Sequence, residues 1–270
     1  MNNIFDGYIL ATDMDGTLIN SNRKISEANL KAIEYFVNNG GKFTVASGRM
    51  VSSVREFIEV LKINCPTILH NGAKVYDYDK ESVIKEHFIE EDRKDAIRRI
   101  YKDKPNIGIE IFADEVVYVY RSCKFTERYK RHNFEVIYNL PDEVWNKQWT
   151  KVLLIGEKDK LDKVEKDYKE NYDKGTSYRS GENYFDIVPN DINKGKALKE
   201  LVEEEDIDPS KVIAVGDNMN DVEMIEYANY GFCVENGLDI LKERAEYIAP
   251  CNDKDAIKYI INWLERKIIE

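Results

Sequence analysis

Cysteine is scarce in this chain, and the few cysteines lie far apart. They are Cys65, Cys123, Cys233 and Cys251, without a Cys-x-x-Cys spacing and without a cluster of cysteine and histidine. Structural zinc sites need such clusters, so this spacing argues against one. We expect buried, reduced thiols, as in a cytoplasmic protein.

Long apolar runs and an excess of basic residues are also lacking. No stretch approaches the length of a membrane span, and MNNIFDGYIL at the start has no basic segment followed by a long apolar one. The formal net charge is −11, whereas a general nucleic-acid or anionic-membrane surface needs clustered cations. We therefore expect a cytoplasmic protein with no nucleic-acid and no membrane partner, in which any anion site is locally positive.

Apolar residues are plentiful enough for a folded core. Hydrophobic residues make up 43% of the chain and aromatic residues 11%, which is typical of a globular protein. The length of 270 residues is one at which a single domain commonly becomes two. No internal repeat or low-complexity segment interrupts the sequence.

The most informative stretch is DMDGT, residues 13–17, which follows a short apolar run at residues 8–12. This pattern predicts a buried strand that ends in a turn. Asp13 and Asp15 are one residue apart, and at an effective dielectric of about 20, unit charges about 4 Å apart interact by about 4 kcal/mol. The two carboxylates therefore need a cation that neutralises them, or an arrangement that keeps them apart and gives them different roles. Taken alone, the pentapeptide is equally typical of a turn in which Asp caps the next element.

A second strand end is predicted to lie beside the first. A helix that opens at Ser26 and a strand over residues 43–46 complete a strand-helix-strand unit of a parallel sheet. Ser47 and Gly48 follow that strand, at the sheet edge where ligands bind in open α/β folds. A Ser-Gly pair before a helix suits a phosphate, although SGR is also a common way to begin a helix.

The next predicted elements are a helix over residues 51–62 and a third strand over residues 67–70. Asn71-Gly72 follows that strand and is a strong signal for a hairpin. We expect a hairpin there, and the position of Asn71 at the same sheet edge leaves a substrate contact open. His70 is expected to be structural.

The pattern changes from about Val83, where hairpins begin to alternate with polar helices, one of them predicted from Lys124 to His132. Such a mixture predicts an inserted α+β module with an antiparallel sheet. We therefore divide the chain into a core domain, an inserted domain and a second part of the core. Their bounds are residues 1–82, 83–188 and 189–270.

Beyond the insertion the parallel pattern resumes. Lys194 opens a helix, and a buried strand ends in GDNMND, residues 216–221. Asp217 would then join Asp13 and Asp15 at one sheet edge, where carboxylates without a cation repel one another or become protonated. Mg²⁺ commonly takes a few carboxylates and keeps waters for a phosphate, and Lys194 would supply positive charge to that phosphate.

Four motifs, in this order, resemble those of the haloacid dehalogenase superfamily of phosphatases: DMDGT, SGR, a lone lysine that opens a helix, and GDNMND. The Asn-Gly pair and an insertion of roughly a hundred residues between the second and third motifs are similar to the Cof-type, sugar-phosphate phosphatase branch. The resemblance spans essentially the whole chain. It implies an α/β fold, with a Rossmann-like parallel-sheet core domain and an inserted α+β cap domain of type II.

The resemblance also implies the site residues. The catalytic residues would be Asp13, Asp15 and Lys194. The phosphate would be bound by Met14, Thr17, Ser47, Gly48, Lys194 and Asn220. The metal, Mg²⁺, would be held by Asp13, Asp15, Asp217 and Asp221, the last of which would orient the surrounding groups. Arg49, Asn71 and Gly72 are possible substrate contacts.

In the implied reaction Asp13 attacks phosphorus and forms an aspartyl phosphate. Asp15 protonates the leaving alcohol and then activates the water that hydrolyses the intermediate. Catalysis of phosphoryl transfer requires mainly that the reacting groups are positioned and that charge on the phosphoryl oxygens is neutralised. A carboxylate nucleophile divides one difficult step into two easier ones. Thr17 would hold the turn.

One loop departs from the family pattern. Related chains often carry Met-Gly-Asn-Ala after the strand that follows the last motif, whereas this chain has VENG, residues 234–237. Asn236 is kept, but Glu235 places a negative charge where a small residue is usual, which puts the packing of the loop in question.

The sequence thus predicts a Mg²⁺-dependent phosphomonoester hydrolase that acts on small phosphorylated metabolites and is a monomer or weak dimer. A phosphomutase with the same nucleophile is the nearer alternative, and a non-catalytic phospho-acceptor or metabolite-binding regulator is the more distant one. Candidates for substrate contacts from the cap are Glu110, Tyr118, Arg121 and Tyr184.

Overall fold

The apolar run before DMDGT forms the first strand of a parallel sheet. The structure is a computed structural model and describes residues 3–126 and 135–270. The first elements are β1 (Ile9–Thr12), α1 (Glu27–Asn38) and β2 (Lys42–Val45). β1 is buried along its whole length, as expected for a parallel strand covered on both faces. The helix predicted at Ser26 is confirmed, because the Ser26 hydroxyl accepts a hydrogen bond from the amide of Asn29 (3.1 Å).

The single helix predicted over residues 51–62 is wrong. Two short helices stand there, α2 (Val51–Arg55) and α3 (Ile58–Leu61). The first turn, VSSV, combines β-branched residues with serines, which are weak helix formers, and neither helix has a side-chain cap. Lys62 then ends the segment in the left-handed conformation, at φ 52°.

A small antiparallel sheet follows, with strands β3 (Thr67–Leu69), β4 (Lys74–Asp77) and β5 (Ser82–Glu86). The hairpin predicted at Asn71-Gly72 joins β3 to β4 and is confirmed. β5 pairs with β4, although it begins where the inserted domain was predicted to begin. The predicted domain bounds stay a prediction, and this pairing favours a first crossing after Glu86.

The middle of the chain builds a six-stranded sheet in the order β10-β11-β9-β6-β7-β8, covered by two helices. Its elements are α4 (Glu91–Asp103), β6 (Gly108–Ala113), β7 (Val116–Arg121), β8 (Val136–Tyr138), β9 (Lys151–Ile155), α5 (Lys158–Asn171), β10 (Ser177–Gly181) and β11 (Tyr184–Ile187). We call the segment from α4 to β11 the cap. The hairpins predicted for this segment are confirmed, as β6-β7 and β10-β11, whereas β8, parallel to β7, was not predicted. Most of the helix predicted from Lys124 to His132 lies outside the described residues.

The remaining elements return to the first sheet. They are α6 (Lys194–Glu204), β12 (Val212–Gly216), α7 (Val222–Tyr227), β13 (Tyr230–Val234), α8 (Asp239–Lys242), β14 (Tyr247–Ala249) and α9 (Ala256–Ile269). The parallel sheet has the order β14-β13-β12-β1-β2, with Leu10 opposite both Ile213 and Phe43. The α/β fold with a parallel-sheet core is therefore confirmed; the three-residue edge strand β14 was missed. In the part of the chain that the structure describes, no helix has both the length and the apolar content to cross a membrane.

The cap has an apolar core of its own. Its buried cluster runs from Ile89 to Ile187 and includes Trp149 and Tyr168, whereas the clusters on the two faces of the parallel sheet draw on residues outside the cap. Separate cores are what two folding units would have.

The tip of the β6-β7 hairpin fastens the cap to the first sheet. Glu115 stands in that turn with a φ of 60°, and its Oε1 accepts from Lys74 Nζ (2.5 Å) and His70 Nε2 (3.2 Å). Its Oε2 accepts from the amide of Val51 at the start of α2 (2.9 Å). Lys74 also bonds Glu86 (2.8 Å). Burial alone would raise the pKa of Glu115, but His70 and Lys74 outweigh it and lower the pKa from 4.5 to about 2.

We expect Glu115→Gln to lower the free energy of unfolding by about 1–3 kcal/mol, because it removes charge from hydrogen bonds to two buried groups. A lowered pKa stabilises the fold above the unfolded pKa and stops doing so as the pH falls through the folded value. The difference from the native protein should therefore be constant above pH 4.5 and shrink toward pH 2. Urea unfolding at several pH values measures it.

Glu170→Gln, at an exposed position of α5, is the matched control. Equal stabilities of the two variants at neutral pH would contradict a fastening role for Glu115.

Candidate active site

The carboxyl ends of three parallel strands meet at one edge, directly beneath the cap. Asp13 follows β1, Ser47 follows β2 and Asp217 follows β12. They line a cavity of about 250 Å³ between this edge and the cap. The other lining residues are Asp15, Gly48, Arg49, Asn71, Asn218 and Asn220 below, and Lys151, Leu153, Ser180, Tyr184 and Asp186 from the cap.

Lys194 lies fully buried beneath this cavity, at the first position of α6. Its Nζ donates to Asp13 Oδ1 (2.5 Å) and to Asp221 Oδ1 (2.6 Å). Burial alone would lower the pKa of Lys194, but the two carboxylates outweigh it and raise the pKa above the ordinary value. The lysine is therefore a fixed positive charge that holds one oxygen of Asp13.

Asp217 and Asp221 are fixed by different partners. Thr17 donates its hydroxyl hydrogen to Asp217 Oδ1 (2.9 Å). Asp221 is fully buried, and its Oδ2 accepts from the amides of Asp217 (3.0 Å) and Asn218 (3.1 Å). Both oxygens of Asp221 are thus bonded to the protein, which favours a role in orienting Lys194 and the 217–218 loop over direct metal ligation.

Negative charge exceeds positive charge at the floor of the cavity. One carboxylate oxygen each of Asp13, Asp217 and Asp221 lies within 4.8 Å of the others. Burial, then repulsion from Asp221, raises the pKa of Asp217 to about 7. The pKa of Asp13 is raised by burial, against the opposing effect of Lys194. Oxygen ligands crowded in this way suit a hard divalent cation, which would bind the ionised forms.

Asp15 is held by Arg49 at the mouth of the cavity. Arg49 Nε and Nη2 donate to the two carboxylate oxygens, each at 2.8 Å. Burial alone would raise the pKa of Asp15, but the bonds from Arg49 outweigh it and leave the pKa below the ordinary value. The Ser47 hydroxyl accepts from the Arg49 amide (3.2 Å) and so supports the same turn.

A profile of the haloacid dehalogenase-like hydrolases matches residues 10–261 of the chain. The chain belongs to this family. A 5-amino-6-(5-phospho-D-ribitylamino)uracil phosphatase of Bacillus subtilis, YcsE, is 28% identical over 261 residues, which cover 96% of each chain. Among solved structures, TM0651 from Thermotoga maritima is 30% identical, with a TM-score of 0.79 over 95% of this chain and 97% of that one. The subclass IIB sugar phosphatase BT4131 shares the fold at 19% identity, with a TM-score of 0.83 over 97% and 99%.

This haloacid dehalogenase-like hydrolase is therefore an enzyme of the phosphatase class. Its expected placement in the Cof-type branch, with a large α/β cap, is confirmed, because the relatives match nearly the whole chain including the cap.

The structure of this hydrolase brings most of the predicted site residues together. Asp13, Asp15, Ser47, Gly48, Arg49, Asn71, Asp217 and Asn220 line the cavity. Asn71 is fully buried in the left-handed conformation (φ 58°), where it accepts from Asn220 Nδ2 (3.0 Å) and donates to Asp186 Oδ1 (3.1 Å). Asn71 therefore belongs to the predicted hairpin and also lines the cavity, so the hairpin leaves a substrate contact open.

Two predicted contacts, those of Thr17 and Gly72, are not favoured by the geometry. Thr17 bonds Asp217 rather than lining the cavity. The Met14 side chain belongs to the apolar core, so the contact expected from its backbone amide stays a prediction. Gly72 has a φ of 101° and packs so closely on Asn193 that a Cβ would lie 2.3 Å from the Asn193 carbonyl oxygen. We therefore assign Gly72 a structural role rather than a substrate contact, because a residue without a Cβ lets the backbone at the start of α6 come this close.

Glu235, which stands where the family usually has a small residue, lies outside the cavity and has partners of its own. Its carboxylate accepts from the Cys251 amide (3.3 Å) and lies 3.6 Å from Lys254 Nζ. Asn236 donates to the Gly16 carbonyl (2.7 Å) and so supports the DMDGT turn.

Sequence reasoning found only part of the cap lining of the cavity. Of the four candidates considered, Tyr184 lines it. Lys151 and Asp186 were overlooked, although each is a charged residue within an apolar strand, KVLLI and YFDI. A charge in a buried strand is the signal that could have identified them.

We expect Thr17→Val to weaken the apparent Mg²⁺ affinity by about 10–100-fold, because the variant keeps the shape but loses the hydrogen bond that orients Asp217. Phosphate release at increasing Mg²⁺ concentrations measures this. Thr44→Val is the matched control, since Thr44 is also buried and donates its hydroxyl hydrogen to the Pro66 carbonyl (2.8 Å). An identical Mg²⁺ dependence in the two variants would refute the role of Thr17.

Proposed function

We propose that this chain is a Mg²⁺-dependent phosphomonoester hydrolase that releases phosphate from small phosphorylated metabolites, sugar phosphates in particular, through an aspartyl phosphate on Asp13. The observation that carries the proposal is Lys194, whose ammonium holds Asp13 Oδ1 at 2.5 Å at the floor of a cavity about 250 Å³ in volume. The other oxygen of Asp13 is the nucleophile.

Mg²⁺ fits the residues at the site. The carboxylates of Asp13 and Asp217, with the backbone carbonyl of Asp15, would hold it, and Asp221 would act through Lys194 and the 217–218 loop. When bound, the ion neutralises charge so that an anionic nucleophile and an anionic ester can approach each other.

The reaction then proceeds in two steps. The Asp13 carboxylate attacks phosphorus, the bond from phosphorus to the leaving oxygen breaks, and Asp15 gives its proton to that oxygen. Asp15, now ionised, takes a proton from water as the water attacks phosphorus, and Asp13 is released as the carboxylate. Ser47 and the amides near Gly48 would bind the phosphoryl oxygens.

Arg49 has to change partner during this cycle. Its two bonds hold Asp15 in the charged form, which suits the second step but not the first. Substrate that draws the guanidinium onto its own oxygens would free Asp15 to carry a proton. In this proposal Arg49 binds substrate, the contact considered for it from the sequence.

The relatives support a small substrate. YcsE is named for a phosphorylated ribityl compound, in which phosphate is esterified to a polyol chain. A cytoplasmic location, a monomeric or weakly dimeric state and the absence of nucleic-acid and membrane partners stay predictions.

Asp13→Asn and, separately, EDTA should each abolish phosphate release from p-nitrophenyl phosphate, because the first removes the nucleophile and the second removes the cation. A colorimetric phosphate assay without a bisphosphate activator makes the measurement and also tests the phosphomutase alternative, which needs an activator. Asp6→Asn, at an exposed position before β1 and away from the cavity, should keep full activity. Turnover that survives either treatment would refute the mechanism.

Asp15→Asn should slow breakdown of the covalent intermediate, because water loses its base, by about 10²–10⁴-fold. Rapid quenching followed by mass spectrometry should find phosphate on Asp13 in this variant. Unchanged steady-state rates with no trapped phosphoenzyme would contradict the proton-transfer role.

A further inference from the structure

The cap presents one charged pair to the cavity. Lys151 on β9 and Asp186 on β11 are 5% and 1% exposed, and Nζ lies 3.0 Å from Oδ1. Leu153 lies opposite Asp186 in the sheet, so side-chain alternation puts Lys151, Leu153 and Asp186 on one face, toward the parallel sheet. Among residues 3–126 and 135–270, Lys151 and Asp186 are the charged groups of the cap that line the cavity.

Stability alone does not account for this pair. Removing two charges from water is costly, and a well-packed apolar pair is often as stable as a buried ion pair. The neighbours on this face include the apolar Phe112 and Ile155, and also the buried Glu110, which lies opposite Leu153 in the sheet. A charged pair retained there, at the boundary of a cavity that also contains the nucleophile, points to a ligand.

Hydrogen-bond capacity indicates what kind of group the pair binds. An ammonium has three donors, and Lys151 uses two, on Asp186 and on the Gly48 carbonyl (2.9 Å). A carboxylate has about four acceptor positions, and Asp186 receives bonds from Lys151, Asn71 and the Ser180 hydroxyl. One donor and one acceptor remain side by side. A hydroxyl group, which both donates and accepts, matches them.

The balanced charge of Lys151 and Asp186 indicates which ligand groups the pair would exclude. The positive charge of Lys151 is balanced by Asp186. At the mouth of the cavity, Arg49 becomes an unpaired cation when it leaves Asp15, and the proposed mechanism directs it to oxygens of the substrate. Among residues 3–126 and 135–270, a second anionic group placed against the cap would meet the Asp186 carboxylate without an uncompensated cation of the cap at the cavity wall. The cavity, about 250 Å³, is also small for a ligand site.

We propose that Lys151 and Asp186 are specificity-determining residues that bind a hydroxyl of an uncharged leaving group, so that sugar and polyol monophosphates are hydrolysed in preference to bisphosphates and phosphorylated acids. This inference rests on the proposed function and deepens it.

The test compares sorbitol 6-phosphate with 6-phosphogluconate, which differ in one terminal group, a hydroxymethyl in the first and a carboxylate in the second. The native enzyme should prefer the polyol ester by at least about tenfold in kcat/KM. Asp186→Asn should reduce this preference by about tenfold, since it leaves the cation of Lys151 unbalanced. Lys151→Met should increase the preference, because it leaves the carboxylate of Asp186 unpaired.

Opposite changes in one ratio are not produced by general damage to the fold. Asp167→Asn, in α5 of the cap and paired with Lys104, is the matched control and should keep the native ratio. Equal use of the two esters by the native enzyme, or a ratio that neither variant moves, would overturn the inference while Asp13-dependent phosphate release continues. Phosphate release that survives Asp13→Asn would remove the proposed function and the inference together.

Discussion

The ammonium of Lys194, between Asp13 and Asp221, is the interaction on which the rest of the site depends. It joins residues 181 and 27 positions away in the chain, and all three side chains are buried. A buried charge has to be paired, and removing one partner of a buried pair costs about 3–5 kcal/mol because the other is left uncompensated. The start of α6 is therefore held against the ends of β1 and β12. That contact fixes which oxygen of Asp13 faces the substrate.

The two faces of the cavity have different chemical tasks. The sheet edge below carries the carboxylates and Arg49, with Lys194 buried behind Asp13, and these groups suit a phosphate and its cation. The cap above carries a balanced pair, Lys151 and Asp186. Contacts of Glu115, Asn71 and Gly48 with residues across the interface hold these faces together, and a closed cap excludes water from the reacting phosphate.

Much of the parallel sheet could be predicted from the sequence, since its strands are continuous apolar runs and each ends in polar residues. Strand ends in a parallel sheet share an edge, which is why Asp13, Ser47 and Asp217 could be placed together. Lys194 could not be placed by pattern alone, because its position depends on how α6 packs. Its role came from the resemblance of the motif.

The features that were missed depend on tertiary contacts. Whether residues 51–62 form one helix or two is settled by packing and by the absence of a side-chain cap at α2 and α3. Arg49 reaches Asp15 across 34 positions, and Asp186 reaches Asn71 across 115, so neither pairing has a local signature. The strands β8 and β14, of three residues each, are too short to give a periodic pattern.

The most direct measurement is a crystal structure of the protein with Mg²⁺ and orthovanadate, a mimic of the phosphoryl group in transfer. The account predicts Mg²⁺ on the carboxylates of Asp13 and Asp217, vanadium facing the free oxygen of Asp13, and Lys194 still bonded to the other. Vanadate bound away from Asp13, or Mg²⁺ bound outside the cluster at the sheet edge, would contradict it.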